Sequence, residues 1–205
     1  RRPSEGRIGL REYGAVTPLP SRPTHTLHCH PATPAGLPLE VSVAVGWTTE
    51  GLQLVYTIAG DISALRVPAA TKPGPADGLW QHTCFEAFVA NEGEAAYREF
   101  NFSPSGQWAA YRFATERERD APGEARHPVS LEAPHTVVAP DTIVLTARVP
   151  FAAPARGLSA LCIGLSAVIE EGNGHLSYWA LHHPHERPDF HHRDGRALRL
   201  AAPSN

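Results

Sequence analysis

The sequence predicts an all-β fold: an antiparallel β-sandwich of jelly-roll or immunoglobulin-like type, with two packed sheets and little helix. Three observations support this prediction. Twenty prolines and 17 glycines fall mostly between short apolar segments, which is typical of many strands joined by turns. Those segments alternate apolar and polar residues with the period of two that half-buried strands show. Helical periodicity is limited to a weak turn near 153–160, and no internal repeat is visible.

Length and composition indicate a single domain over residues 1–205. Hydrophobic residues make up 42% of the chain and charged residues 19%, a balance that supports a packed core. The 18 Lys and Arg against 21 Asp and Glu give a net charge of −3, without a basic run, so no nucleic-acid partner is expected. No stretch approaches 18 apolar residues, so no membrane span is expected. The oligomeric state is left open.

The cysteines favour a reducing compartment. Cys29, Cys84 and Cys162 are odd in number, lie far apart and show no C-x-x-C spacing. Neither a disulfide framework nor a thiolate zinc site is therefore expected, and a cytoplasmic location is the expectation. The basic start of the chain is followed by no apolar region of a signal peptide. Because the sequence does not begin with Met, a leader upstream of it is left open.

The strands are expected to begin after a proline-rich, extended lead-in at 1–38, and a long charged loop is expected at 115–135. A tight turn joins the first two strands into a hairpin, and Gly172-Asn173-Gly174 marks another. Two further turn sequences predict a three-strand meander between residues 82 and 113. The segments, which suggest roughly nine or ten strands, are 39–47, 51–60, 82–90, 96–103, 107–113, 142–151, 161–171, 175–183 and 196–200.

The meander carries the first candidate site. Alternation places Glu86 on one face of its strand, Glu99 and Asn101 together on the next strand, and Trp108 with Arg112 on the third. If these faces coincide, the five side chains form a patch suited to a sugar. Sugar hydroxyls need planar polar partners, and the C–H face of a sugar stacks on an aromatic ring. The alternative is that the glutamates pair with arginines of neighbouring strands on a solvated face.

Trp80, His82 and Trp179 extend this candidate site, because each lies near a predicted loop. The alternative for the two tryptophans is a place in the core. A catalytic alternative uses Glu86 and Glu99 as acid and base, or His82 beside Glu86 as a polarised base. No nucleophile elbow, P-loop or dinucleotide-binding glycine motif is present, so a non-catalytic binding domain is favoured.

A histidine-rich segment at 181–195 is the second candidate site. It holds five histidines with three acidic residues, and His183, Asp189 and His191 offer the imidazole and carboxylate ligands that Zn²⁺, Ni²⁺ or Fe²⁺ accept. The spacing matches no closed metal motif, so the alternative is a polar loop whose histidines hydrogen-bond or lie exposed. In that case Asp189 is expected to accept a hydrogen bond within a turn, and Phe190 to fill a gap.

Residues 79–113, 164–181 and 188–195 resemble the DOMON-like domain family of bacterial proteins. That family is related in fold to family 9 carbohydrate-binding modules and to DOMON domains that bind haem or sugars. The motif positions of the wider group correspond here to Trp80, Glu86, Asn101 and Gly106. The resemblance implies a β-sandwich with a ligand pocket on or between its sheets.

The sequence therefore predicts a domain that binds a small, carbohydrate-like ligand, with no cofactor required. The alternative is a haem-binding domain or a metal-assisted enzyme that uses the histidine-rich segment. Since the chain has no Met, haem would need two histidines as axial ligands, such as His82 with His183.

Overall fold

The computed structural model describes residues 22–150 and 160–202. Within them the chain forms thirteen strands, one short helix and two 3₁₀ turns, so the all-β class with little helix is confirmed. No helix in this part of the chain is long and apolar enough to cross a membrane. The strands are β1 Thr24–Cys29, β2 Leu39–Thr48, β3 Gly51–Gly60, β4 Gly74–Pro75, β5 Cys84–Asn91, β6 Tyr97–Phe102, β7 Gln107–Thr115, β8 Glu118–Arg119, β9 His135–Ala139, β10 Thr142–Val149, β11 Leu161–Glu170, β12 Leu176–Ala180 and β13 Leu198–Leu200; the helix is α1 Ala121–Arg126, and the 3₁₀ turns are Leu79–Gln81 and Arg193–Gly195.

The strands form one continuous, curled mixed sheet. Its order is β4-β7-β6-β5-β11-β12-β1-β2-β3-β10-β9, with β13 beside β11 and β8 beside β7. β1 is the junction, because residues 24–27 pair with β2 while residues 28–29 pair with β12. β4 and β7 run parallel, and the other described pairs are antiparallel. The expected division into two separate sheets is not confirmed, since β1 belongs to both halves.

The expectation that the strands begin after residue 38 is wrong, because β1 lies inside the proline-rich lead-in. Its six residues contain no proline, although Pro23 and Pro31 flank it. Each of its backbone amides can therefore join a ladder. Leu27 anchors the strand, since its side chain is buried in the core.

The expected loop at 115–135 also contains regular structure. It holds β8 and α1, and the Asp120 side chain caps α1 by accepting the Gly123 N–H at 2.9 Å. A carboxylate at this position satisfies a free amide of the first helical turn. β9 follows as an unpredicted partner of β10. The weak helical turn near 153–160 lies outside the described residues apart from residue 160.

The core lies between the two halves of the curled sheet. Val43 and Tyr56 from one half and Phe85 and Phe100 from the other are fully buried there. The rings of Tyr56 and Phe85 are 4.9 Å apart, and the Tyr56 hydroxyl donates to the carbonyl oxygen of Glu86 at 2.7 Å. This contact joins the halves by apolar burial and satisfies the one polar atom of the tyrosine.

The predicted meander is confirmed, since β5, β6 and β7 are antiparallel neighbours. The predicted hairpins of β2 with β3 and of β11 with β12 are confirmed as well. Because Phe85 faces the core, alternation turns Glu86 to the opposite side of the sheet. That outer side is where a cavity forms.

Candidate ligand-binding site

A cavity of about 640 Å³ lies over the outer face of β5, β6 and β7. Its volume falls in the range of small-molecule sites in proteins, roughly 300–1,000 Å³. The floor comes from alternate residues of the strands, and the walls come from three segments, 77–81, 117–119 and 188–191. The floor residues are Glu86, Phe88, Glu99, Tyr111, Phe113, Val168 and Tyr178, and the wall residues are Asp77, Gly78, Trp80, Gln81, Arg117, Arg119, Pro188, Phe190 and His191.

A glycine allows the C-terminal loop to reach this face. Gly164 in β11 lies opposite Phe88 in β5, and a Cβ atom at Gly164 would lie 3.2 Å from the backbone oxygen of Gly195. Only a residue without a side chain lets the loop approach the strand so closely. The loop in turn places Phe190 over the sheet, where its ring lies 6.5 Å from Phe88 and 6.0 Å from Tyr178.

Glu86 lies at the floor of the cavity with only 3% of its surface exposed. Its Oε2 accepts a hydrogen bond of 3.4 Å from the Ser166 hydroxyl, and no Lys, Arg or His side chain of the described residues pairs with it. Burial raises the pKa of Glu86 well above its usual range, and the nearby Glu99 carboxyl raises it further. Because the charged form of a carboxyl in this position is poorly solvated, burial favours the protonated form.

Glu99 is the second acid of the floor and is 6% exposed. The Asn101 side-chain amide donates to Glu99 Oε1 at 2.8 Å, which fixes the orientation of the carboxyl group. Burial raises the pKa of Glu99 to about 7 against the effect of this hydrogen bond. Near neutral pH, Glu99 can therefore either donate or accept a proton.

His191 closes the floor beside Glu99. The Arg117 backbone N–H donates to the Tyr97 hydroxyl oxygen at 3.2 Å, so the Tyr97 O–H is free to donate to His191 Nδ1 at 2.7 Å. The remaining nitrogen, Nε2, then carries the hydrogen and lies 3.7 Å from Glu99 Oε2. Burial and the nearby Arg117 together lower the pKa of His191 to about 4. The imidazole is thus neutral where Glu99 ionises, and the two do not form an ion pair.

The two arginines of the wall are each paired with an acid. Arg117 donates to Asp189 at 2.8 Å, and Arg119 holds Glu124 through hydrogen bonds of 3.0 Å. The Arg119 guanidinium also lies over the Tyr111 ring, 4.5 Å from its centre. Neither arginine forms an ion pair with Glu86 or Glu99, although both positive charges lie near enough to oppose the rise in the Glu99 pKa that burial causes.

Aromatic side chains supply the apolar surface of the cavity. Trp80 is 50% exposed, because the 3₁₀ turn Leu79–Gln81 presents its indole at the mouth. The Tyr111 hydroxyl donates to Asp77 Oδ1 at 2.7 Å, which holds that ring in place. A half-exposed indole beside polar groups is the surface on which the C–H face of a ring compound can stack.

The structure brings part of the predicted patch together. Trp80, Glu86 and Glu99 line the cavity. Asn101 lies on the same face, directly opposite Glu86 across the β5–β6 ladder, and is fully buried. The alternative that the two glutamates pair with arginines on a solvated face does not hold, since both are buried and neither is paired with an arginine.

The expectation that Trp108 and Arg112 share this face is wrong. Trp108 lies opposite Phe102 and packs in the core, while Arg112 lies opposite Arg98 and donates to Asp120 at 2.9 Å. Successive residues of a strand point to opposite sides of the sheet. A register displaced by one residue therefore moves every side chain of β7 to the opposite face. Tyr111 and Phe113, the alternating neighbours of the predicted pair, line the cavity in their place.

Trp179 and His82 do not line the cavity either. Trp179 is buried in the core, where its indole N–H donates to the Ser177 hydroxyl at 3.0 Å. Its neighbour Tyr178 points to the opposite side and lines the cavity. His82 Nδ1 lies 2.7 Å from Glu170 Oε2 at the edge of the sheet.

The structure does not bring the predicted metal ligands together. His183 Nε2 is 2.8 Å from the His28 carbonyl oxygen, whereas Asp189 pairs with Arg117, and His191 pairs with a tyrosine. Across residues 22–150 and 160–202, no three His, Cys, Asp or Glu side chains are grouped so that they could hold a metal ion. Asp189 does act as the predicted turn acceptor, since it accepts the His191 N–H at 3.0 Å.

The histidine pair suggested for haem does not fit the cavity. His82 and His183 both lie outside its lining, and the Nδ1 atom of His183 is buried without a partner among the described residues. Neither side chain is therefore placed to reach an iron atom in this cavity.

Comparison with known proteins supports the fold. No family model matches the sequence, and no curated protein matches it. A crystal structure of a "putative carbohydrate-binding protein" from Bacteroides uniformis is similar to this chain, with a TM-score of 0.61 and 18% sequence identity. The similarity covers 84% of this chain and 83% of that chain. The chain thus has the fold of that protein over most of its length.

Proposed function

We propose that this protein binds a carbohydrate in the cavity on the outer face of β5, β6 and β7. The observation that carries the proposal is the combination of a half-exposed indole, Trp80, with two buried carboxyl groups, Glu86 and Glu99, in one cavity of about 640 Å³. The indole stacks on the C–H face of a sugar ring, and the carboxyls bind its hydroxyl groups.

The floor offers both kinds of hydrogen-bonding partner that a hydroxyl needs. A hydroxyl group donates one hydrogen and accepts others, so a site for it works best when its own groups can do both. Glu99 meets this need, because its pKa of about 7 lets it donate or accept near neutral pH. Asn101 holds the Glu99 carboxyl in a fixed orientation, and this preorganisation reduces the entropy lost on binding.

The fold gives a second, weaker support. The similar protein from Bacteroides uniformis bears a carbohydrate-binding name, and the two chains share their fold over most of their length. A shared fold suggests a function only by analogy, so the proposal rests on the cavity. Membership of the DOMON-like family stays a prediction from the sequence.

The test is a titration with a panel of mono- and oligosaccharides, followed by isothermal calorimetry and by tryptophan fluorescence. Trp80→Ala is expected to weaken binding at least about tenfold, since it removes the stacking surface. Trp47→Phe is the matched control, because Trp47 donates its indole N–H to Ala201 and lies outside the cavity lining. Binding that survives Trp80→Ala unchanged, or a panel in which no saccharide binds, would contradict the proposal.

A further inference from the structure

The cavity holds more carboxyl groups than free cations. Asp77, Glu86 and Glu99 belong to its lining, and the only cationic side chains among the described lining residues are Arg117 and Arg119. Both arginines are already paired, one with Asp189 and the other with Glu124, and His191 is neutral above its pKa of about 4. Asp77 accepts a hydrogen bond from the Tyr111 hydroxyl and forms no ion pair with a Lys, Arg or His side chain of the described residues. The unbalanced charge of the cavity is therefore negative once either glutamate ionises.

The hydrogen-bonding groups of the floor show the same imbalance. Asn101 donates to Glu99 Oε1, but its own Oδ1 is buried with no donor among the described residues. Glu86 accepts from a single hydroxyl, that of Ser166. Once the two carboxyl groups ionise, acceptor oxygens therefore outnumber donors at this point, and a buried oxygen without a donor costs free energy.

On the basis of the proposed function, we infer that the carbohydrate is an amino sugar with a free amine, whose ammonium group lies against Glu86 and Glu99. An ammonium group offers three N–H donors and no acceptor, which matches a floor that is rich in acceptors. Its charge also compensates that of the carboxylates, and charge-assisted hydrogen bonds are about twice as strong as neutral ones. The half-exposed aromatic ring of Trp80 provides a face that attracts a cation.

Binding of an amine is coupled to loss of a proton. Burial favours the protonated form of Glu99, whose pKa is about 7. A bound ammonium group favours the carboxylate, so at pH 5.5, where the free sugar amine is already protonated, the complex forms with release of the Glu99 proton to the solvent. A neutral sugar lacks this charge and causes no comparable release.

The experiment compares two β-1,4-linked oligosaccharides of equal length, one of glucosamine and one of N-acetylglucosamine, by calorimetry at pH 5.5. The glucosamine form is expected to bind at least about tenfold more tightly. Calorimetry in two buffers of different ionisation enthalpy is expected to show proton release for that form alone.

Three variants make the test specific. Glu99→Gln and Glu86→Gln keep the shape of each side chain and remove its charge, so each is expected to reduce the preference for the amine toward unity. Glu50→Gln is the control, since Glu50 is an exposed carboxylate in the β2–β3 turn outside the cavity. A preference that persists in both cavity variants overturns the inference. Thermal unfolding of each variant shows that it is folded.

The outcomes separate the inference from the function on which it rests. If both oligosaccharides bind equally, or the acetylated form binds more tightly, the inference fails while carbohydrate binding stands. If neither binds, a titration with the simple diamine putrescine distinguishes the two cases. If putrescine binds and Glu99→Gln weakens that binding, carbohydrate binding is overturned and amine recognition is retained. If putrescine does not bind, both hypotheses are overturned.

Discussion

The two faces of β5 differ in chemistry although both are buried. On the core side, Phe85, Ala87 and Val89 are apolar and at most 2% exposed. On the cavity side, Phe88 is 1% exposed, and Glu86, with 3%, is a carboxylic acid without a cationic partner among the described residues. The apolar face needs no explanation beyond the hydrophobic effect. The cavity face needs a further explanation, because burial of an ionisable group lowers the stability of the folded chain.

The difference indicates which residues serve the fold and which serve a ligand. Apolar side chains on the core side stabilise the fold through packing alone. Buried acids on the cavity side lower the stability of the folded chain. A ligand that binds these acids would stabilise the folded chain and so offset that loss. Four substitutions or titrations, taken from the largest expected effect to the smallest, test this contrast.

Phe85→Ala is expected to have the largest effect on stability, a loss of about 3–5 kcal/mol, because it removes a fully buried ring that packs on Tyr56. The adjacent Glu86→Gln variant is expected to change the free energy of unfolding by less than about 1 kcal/mol, since the native side chain is held in its neutral form. Urea denaturation at pH 6 measures both. Equal losses in the two variants would remove the contrast between the faces.

The pH dependence of stability is the second test. Burial raises the pKa of Glu99 in the folded chain to about 7 from its ordinary value of 4.5, so the folded chain binds more protons than the unfolded chain between these values. Stability therefore falls as the pH rises through this window, by about 3 kcal/mol for this group. Denaturation from pH 4.5 to 8 is expected to show the fall in the natural chain, and a smaller one in Glu99→Gln. An identical slope in the two proteins would place the titrating group elsewhere.

Gly164→Ala is expected to have a smaller effect, a loss of about 1–3 kcal/mol, as is typical when a methyl group is inserted into a close contact. The added atom meets the backbone oxygen of Gly195, so the C-terminal loop has to move away from the sheet. Hydrogen exchange is expected to rise at 188–195 and to stay unchanged in the β2–β3 hairpin. Faster exchange in both places would show general destabilisation in place of a displaced loop.

Arg148→Ala is expected to have the smallest effect, at most about 0.5 kcal/mol. Its ion pair with Glu132, at 3.3 Å, joins two exposed side chains, and such pairs contribute little in water. Thermal unfolding at low and at high salt is the measurement. A loss above 1 kcal/mol would show that surface charge contributes to stability as much as the buried face does.

Much of the fold followed from local pattern. Alternation and turn sequences predicted the meander and two hairpins, and they placed Glu86 opposite Phe85 and Glu99 beside Asn101. These features depend on neighbours in sequence, and a period of two is directly visible. β1 was missed because Pro23 and Pro31 dominate its surroundings, although the six residues between Pro23 and His30 are free of proline.

The register between β6 and β7 could not be predicted from the alternation of residues within each strand. The Ser103 N–H donates to the Gln107 carbonyl oxygen, so the turn has three residues, and Gly106 takes a positive φ of 89°. A four-residue turn would shift the pairing by one position and turn Trp108 to the side of Asn101. The sequence Ser-Pro-Ser-Gly is compatible with either length. The difference of one residue in the turn decides which face of β7 lines the cavity.

The C-terminal part of the site was also hidden, because it depends on contacts distant in sequence. His191 contacts Tyr97 across 94 positions of the sequence, and Arg117 contacts Asp189 across 72. The density of histidines suggested a metal site, whereas His183 and His191 hydrogen-bond to different groups, the His28 carbonyl and the Tyr97 hydroxyl. Tyr178 could have been found from the neighbouring Trp179, since adjacent residues in a strand point to opposite sides.

The position of β1 between the two halves of the sheet has a consequence for handling the protein. β1 pairs with β2 along one part of its length and with β12 along another. Its removal would leave unpaired amide and carbonyl groups on both neighbours, and such open strand edges recruit other chains into aggregates. A chain that lacks residues 1–29 therefore exposes two open strand edges, those of β2 and β12. Proteolysis that removes β1 is expected to cause precipitation for the same reason.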